Sequence, residues 1–395
     1  MKNIRILPST QIYLAAAAFL SMAAILGCKK EIGTPQIQAQ TINIGVIVPT
    51  EGPLWLYGRE CVKGLELNID ECNAAGGAKG RKVTLKIENT GGDPSRSADA
   101  VKRFAADSTV LAIIGPVTSN DFLAAAAVAQ FEKIPILSPY STNPALTEIG
   151  EFVSRICFTD VAQGRVMARY AIYSLNLRNV AMLVERNNGY SEGLAKYFER
   201  EFTELGGKIC AKEFYAAQDQ TYLPLLQSTF LQRPDAVFMP GYFPQARQLL
   251  KDVVAMGKTA TFLGGDGWES LEQTDLPAEV INDRFPIYIT SHFSSEEMQL
   301  SAQHFVQQYE NRYNHPPNSL SALAYDAAGV VIEALRRTAR LDRVAVMETI
   351  NSTSGFAGAT GNITLNEKRD AVKPIYIQEF RGGGFHLRAY NALLP

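Results

Sequence analysis

Ile134-Pro135-Ile136-Leu137-Ser138-Pro139-Tyr140-Ser141-Thr142-Asn143-Pro144 carries the reading of this chain. A short apolar run, Ile134 to Leu137, reads as a buried strand, and it opens into a loop of hydroxyl residues and prolines. Ile113-Ile114-Gly115-Pro116-Val117-Thr118-Ser119-Asn120 repeats the plan just upstream, passing from strand to hydroxyls to a helical run. Open α/β sheets bind ligands at the carboxyl ends of their strands. Two adjacent donor-rich loops there suit a carboxylate, although Ser, Thr and Asn also serve as ordinary helix caps.

Outward from these loops, short β-type runs alternate with amphipathic helical stretches. The first series runs through strands at 42–48, 83–88, 110–114 and 134–137, with helices at 58–75 and 120–131. Asp93-Pro94-Ser95 caps a further helix between them. The pattern restarts at Val180-Val184 and continues through 189–205, 208–214, 222–231, 236–239, 245–256 and 261–263. Strand alternating with helix means parallel sheets joined by right-handed crossovers. Two such series predict an α/β protein of two doubly wound lobes. Long helical runs at 295–313 and 320–340 follow, then a terminal hairpin of 375–380 and 385–388 about Gly382-Gly383-Gly384.

Lys2 and Arg5 precede an almost wholly apolar run from Ile12 to Leu26, the layout of a signal peptide over 1–27. Ile25-Leu26-Gly27-Cys28 resembles a bacterial lipoprotein box, which would leave Cys28 lipidated and 28–40 as a polar tether. A plain signal peptide with an incidental cysteine, or an uncleaved anchor, reads the same residues differently. Either way the chain is exported. Net charge is −2 with no Lys/Arg block, which argues against nucleic acid. Cys61 and Cys72 fall too far apart along one helix to pair, whereas Cys157 with Cys210 stays open. The four histidines show no metal spacing, and there is no P-loop, no GxGxxG and no nucleophile elbow. Neither an enzyme, a metal nor a cofactor is expected.

The opening Ile44–Val48, Glu51-Gly52-Pro53, Tyr57-Gly58 and Asn73-Ala74-Ala75-Gly76-Gly77, with Asp93-Pro94, Ile114-Gly115-Pro116, Ser138 through Pro144, Asn187–Gly193, Gly241-Tyr242 and Gly264-Gly265-Asp266-Gly267, resemble leucine/isoleucine/valine-binding proteins. These are the solute receptors of branched-chain amino-acid ABC importers. The resemblance runs from about Thr41 nearly to the C-terminus. It implies a clamshell with a three-segment hinge, lobe one being 41–159 with 293–366 and lobe two 160–292 with 367–395. It also implies an amino acid held between them, a membrane permease as partner, a monomer and a periplasmic or cell-surface location.

By the same resemblance, Ser119 and Thr142 hold the ligand carboxylate, and Tyr140 adds backbone while its ring crowds the site. Asp266 answers the ammonium, flanked by Tyr190 and Tyr242. Tyr57 and Tyr325, with Trp55 as an outlying candidate, line the side-chain pocket. Each tyrosine could instead be a packing residue, and Asp266 could simply stabilise its glycine-rich turn. Gly92 and Thr118 stand where the best-known relatives carry a disulfide. A sensing module coupled to a signalling partner would use the same pocket.

Overall fold

The computed structural model describes residues 41–391. The signal peptide, Cys28 and the tether expected over 1–40 lie outside the described residues. Strands β1 (Ile42–Val48), β2 (Val83–Asn89), β3 (Val110–Ile114), β4 (Ile136–Ser138) and β5 (Val153–Arg155) form an all-parallel sheet in the order β2-β1-β3-β4-β5. Between them run α1 (Trp55–Ala74), α2 (Pro94–Ala106) and α3 (Ser119–Glu132), and α4 (Asp160–Tyr173) follows β5. Every residue of β1 and β3 is buried, as continuous apolar runs between two helical layers require.

A second series repeats this order. β6 (Asn179–Glu185), β7 (Lys208–Tyr215), β8 (Ala236–Met239), β9 (Thr261–Gly264) and β10 (Ile287–Ser291) stand as β7-β6-β8-β9-β10, all parallel. Their crossovers include α5 (Gly189–Glu204), α6 (Leu223–Leu231) and α7 (Phe243–Ala255). The chain then returns to the first sheet's side. There α8 (Leu300–Tyr313), α9 (Ser319–Arg337) and α10 (Arg343–Asn351) precede a small antiparallel sheet of β11 (Phe356–Gly358), β12 (Gly361–Leu365) and β13 (Ala371–Val372). Finally β14 (Ile375–Arg381) and β15 (Gly384–Asn391) form the expected hairpin and add to β10 antiparallel, giving a seven-stranded sheet.

β13 pairs with β12, and Arg155 holds Asp370 through Nε at 2.6 Å. All four cysteines of the described residues are free thiols, so Cys157 and Cys210 do not pair. Cys61 and Cys72 do share α1. No helix of the described residues is long and apolar enough to cross a membrane.

The order 2-1-3-4-5 places a topological switch point between β1 and β3, and its counterpart between β6 and β8. Loops leaving those strands at their carboxyl ends part in opposite directions and leave a crevice. Gly115 makes the first of these turns possible. It has φ +95°, and a Cβ there would stand 2.2 Å from the Ile47 carbonyl oxygen.

Candidate functional site

The carboxyl ends of both sheets face one cleft, and seven of the expected residues meet there. Tyr57 follows β1, Ser119 follows β3, and Tyr140 and Thr142 follow β4. From the second sheet come Tyr190 after β6, Tyr242 after β8 and Asp266 after β9. Val117, Ser119, Tyr140, Thr142, Tyr190, Tyr242, Asp266 and Gly267 together line a residual space of about 10 Å³. That holds one water at most.

The space is small because the polar groups answer one another. Asp266 Oδ1 accepts from the Tyr190 hydroxyl at 2.8 Å and from Gln163 Nε2 at 3.0 Å, and Oδ2 lies 3.1 Å from His292 Nε2. Tyr140 donates its hydroxyl to the Asp266 carbonyl at 2.6 Å, and Tyr57 donates to the Gly267 carbonyl. These two bonds join loops of the first sheet to a loop of the second. Thr142 donates to Asp160 Oδ1 at 2.6 Å, and Gln163 Nε2 donates to the same oxygen at 2.8 Å. Thr290 donates to Gln163 Oε1 at 2.7 Å, which fixes the orientation of that amide.

The glycines around Asp266 serve close approach. A Cβ on Gly265 would stand 2.5 Å from the Tyr190 hydroxyl, and one on Gly267 would stand 2.5 Å from the Gly241 carbonyl. The Asp266 carboxylate bonds residues 26 to 103 positions away, and no bond ties it to the N–H groups of its own turn. The turn-stabilising reading of Asp266 therefore fails. For the tyrosines the outcome is divided. Tyr190 and Tyr242 stack at 5.1 Å with ring planes 17° apart, and Tyr57 meets Tyr140 edge-on at 5.7 Å. Tyr325 is elsewhere: it packs on Phe305 and donates to Glu71 Oε2 at 2.6 Å, on the far face of α9 from the cleft. Trp55 is half-exposed at the start of α1, beneath the Arg59 guanidinium. Its ring does not enter the space.

Three residues of the cluster escaped the sequence reading. Gln163 and Asp160 sit in the first turns of α4, a helix announced only by the cap Thr159, which accepts from the Ala162 N–H. His292 follows β10 and stacks on Phe158 at 3.5 Å. Burial pushes the Asp160 carboxyl up to about 7, with the nearby Asp266 adding to the effect. Burial pushes the His292 imidazole down to about 4, against the raising influence of Asp266, so the ring is neutral at ordinary pH.

The loop quoted at the outset is held by Arg155, fully buried at the end of β5. Its Nη1 donates to the Asn143 carbonyl at 2.7 Å and its Nη2 to the Pro144 carbonyl at 3.1 Å, while Nε pairs with Asp370. The capping reading holds for one loop only: Asn143 caps the following turn through the Ala145 N–H, whereas Thr118 makes no side-chain cap to α3.

Beside the small space lies a larger cavity of about 490 Å³, walled by residues of both sheets' loops and sharing Tyr242 with it. That volume falls in the usual range of small-molecule sites. Among the described residues no group of His, Cys, Asp or Glu is arranged to hold a metal ion.

Comparison with known proteins agrees with this architecture. The profile of the periplasmic binding protein family matches residues 41–384. The chain is 25% identical over 331 residues to the Leu/Ile/Val-binding protein BraC3 of Rhizobium johnstonii, covering 83% of this chain and 88% of that one. The crystal structure of a leucine-binding protein, LivK, from Thermotoga maritima superposes with a TM-score of 0.84 at 32% identity, covering 88% of this chain and 98% of that one. The substrate-binding protein LivJ of Streptococcus pneumoniae, solved in complex with isoleucine, gives 0.82 at 28% identity, over 90% of this chain and all of that one. The chain belongs to the periplasmic binding protein family, among substrate-binding proteins of the leucine/isoleucine/valine type.

Proposed function

We propose that this protein is an extracytoplasmic receptor that captures an amino acid or a similar small solute between two lobes and delivers it to an ABC importer. Delivery means docking on permease subunits in the membrane. The receptor is a monomer, not an enzyme, held at the membrane by a lipid on Cys28. The observation that carries this is the convergence of both sheets' carboxyl ends, with hydroxyls from one side and the Asp266 carboxylate from the other. A zwitterion buried there would have both charges answered: Ser119 offers its hydroxyl to the carboxylate, joined by Thr142 once its bond to Asp160 is released, and Asp266 faces the ammonium.

Lobe one comprises the first sheet with the segment from α8 to β13, and lobe two comprises the seven-stranded sheet. The three strands of chain that pass between them, after β5, after β10 and after β13, form the hinge. Solute enters when the lobes part and the Tyr57 and Tyr140 hydrogen bonds to the 266–267 loop break. The ring of Tyr140 then withdraws, because about 10 Å³ does not admit an amino acid.

A thermal-shift screen of the twenty amino acids, with amides and aromatic acids, tests the reading. A true ligand at a hundred times its Kd stabilises by about 2.7 kcal/mol. Shifts with amino acids are expected. Shifts with amides or aromatic acids alone would keep the receptor but remove the ammonium role of Asp266, and a silent screen would refute the amino-acid reading.

A further inference from the structure

The hydroxyl of Thr142 is already committed. A threonine hydroxyl has one hydrogen to give and two lone pairs to receive with. That hydrogen lies on the 2.6 Å contact with Asp160 Oδ1, and the Asp160 N–H donates to the Thr142 carbonyl at 2.9 Å. The two residues therefore hold one another through side chain and backbone. Ser119 keeps its hydrogen, because its hydroxyl only accepts, from the Asn143 N–H at 3.4 Å. A solute carboxylate against these loops finds a donor at Ser119 and a lone pair at Thr142. Two anions, the solute's and that of Asp160, would compete for one hydrogen.

Asp160 is poorly placed to remain an anion. It is fully buried at the start of α4, and its Oδ2 has no hydrogen-bond partner among the described residues. Gln163 Nε2 donates to Asp160 Oδ1 at 2.8 Å and to Asp266 Oδ1 at 3.0 Å, so one neutral amide joins two carboxyl groups. Arg155, the cation that acts on Asp160, is spent on Asp370 and on the carbonyls of Asn143 and Pro144. His292 on the far side of Asp266 is neutral at ordinary pH. Tyr190 and Tyr242 keep their protons, since burial raises both hydroxyls. Helix α5 approaches with Gly193, where a Cβ would stand 3.5 Å from Asp160 Oδ2. Burial, with the charge of Asp266, holds the Asp160 carboxyl up at about 7 against the Thr142 and Gln163 hydrogen bonds and Arg155.

We infer that Asp160 is a positioning residue that takes up a proton when the solute carboxylate binds, and so turns Thr142 into a donor. The proton comes from solvent. The neutral acid donates its O–H to Thr142 Oγ1 along the existing contact, and Thr142 turns its own hydrogen to the solute. Gln163 still donates to the remaining lone pair of Oδ1. No heavy atom has to move, because the contact only reverses direction. Asp266 stays ionised for the ammonium, so every charge in the loaded site has a partner. The inference rests on the receptor reading above and assigns how that site receives the carboxylate. A group that binds its proton more tightly in the loaded form makes affinity fall as pH rises.

Isothermal titration of the purified full chain tests this, with leucine, isoleucine and the other standard amino acids as probes. Between pH 6 and pH 8.5 the affinity for a bound amino acid should fall by at least roughly tenfold. Titration at pH 7 in buffers of different ionisation enthalpy should show net proton uptake. Asp160→Asn offers the same oxygen to Thr142 and has no proton to gain, so the dependence on pH should vanish. Glu269→Gln removes another buried carboxyl near Asp266, which burial also raises to about 7, and should leave the dependence in place. Constant affinity without proton uptake overturns the inference and leaves the receptor reading standing. So does a dependence that survives in Asp160→Asn or disappears in Glu269→Gln. Silence of all twenty amino acids at both pH values overturns the inference and the amino-acid reading together. Proton uptake by the unaltered protein decides the matter whether or not the variants fold.

Discussion

Replacing Asp266 by Asn tests whether the buried carboxylate answers a solute or only its protein neighbours. The substitution keeps the shape and removes the charge. Three donors now converge on that carboxylate, from Tyr190, Gln163 and His292. An amide can keep its oxygen toward Tyr190 and Gln163, which turns its NH₂ toward His292. The imidazole must then accept at Nε2 and carry its proton on Nδ1, a buried atom without a partner. One stranded donor costs about 1–3 kcal/mol of folding stability. The cost to a zwitterionic solute would be larger, because its ammonium would lose the carboxylate proposed to face it. Breaking one side of a buried ion pair costs about 3–5 kcal/mol, or a Kd raised at least roughly a hundredfold. Calorimetric titration with the solute found by thermal shift, alongside the melting temperature of each variant, separates the two effects. A lowered melting temperature with an unchanged Kd would refute the reasoning. Asp266 would then be a structural partner of Tyr190, Gln163 and His292, and the ammonium site would lie elsewhere.

Other perturbations bear on the scaffold around that site. Arg155→Met should cost about 3–5 kcal/mol in urea unfolding, because it leaves Asp370 and the carbonyls of Asn143 and Pro144 without their buried cation; a loss under about 1 kcal/mol would count against its role in holding the loop. Tyr140→Phe should cost about 1 kcal/mol by removing a bond that joins the two sheets' loops, and should speed solute association in stopped flow. Stability should fall in acid through His292. Its folded value of about 4 lies below the ordinary 6.5, so its contribution is present above pH 6.5 and lost as pH falls through 4. That contribution is up to about 3 kcal/mol, and His292→Gln should flatten this part of the pH profile of the urea midpoint. Asp93→Ala should cost about 1 kcal/mol, since Asp93 accepts from the Ser95 and Arg96 N–H groups at the start of α2.

The fold was legible because a buried parallel strand writes itself as a continuous apolar run closed by a turn. Val110–Ile114 and Ala236–Met239 are such runs, and both are strands at full burial. The loops after them were legible for the same reason: once a strand ends, hydroxyls and glycines at its carboxyl edge have one cleft to face. Where the pattern thinned, the reading thinned with it. Val153–Arg155, Phe356–Gly358 and Ala371–Val372 have three residues or fewer, too short to read as an apolar run, and Gly361–Leu365 interrupts its buried positions with Asn362 and Thr364. Helix α4 carries its polar Gln163 and Asp160 on the buried side, so binary pattern hides both residues that tie Thr142 to Asp266. Tyr325 failed for the converse reason. Its helix does line the first lobe, but one turn of phase decides which face a side chain takes, and this one faces Phe305 and Glu71.

Closure of the cleft is already supported by direct bonds between the two sides. Besides the Tyr57 and Tyr140 hydroxyls, Asn120 spans to the Asn187 carbonyl and the Gly189 N–H, and Asn143 Nδ2 donates to the Gly189 carbonyl at 2.8 Å. All are neutral, and each adds only about 0.5–1.5 kcal/mol net, because water takes its place when the lobes part. Part of that sum is offset by the freedom the lobes lose on closing. A receptor that hands over only loaded cargo needs the solute to shift this balance, and a solute shifts it only by its differential affinity for the closed form. Moving the population from one part in a hundred to ninety-nine requires about 5.5 kcal/mol. Further neutral contacts of the same kind would supply little of it. Charged groups that are exposed in the open form and buried on closure supply more, since pairing is worth most where water is excluded. Asp266, buried where loops of both sheets meet, is the carboxylate in this cleft that a charged solute would pair with. A solute ammonium paired with that carboxylate would therefore make closure depend on the solute.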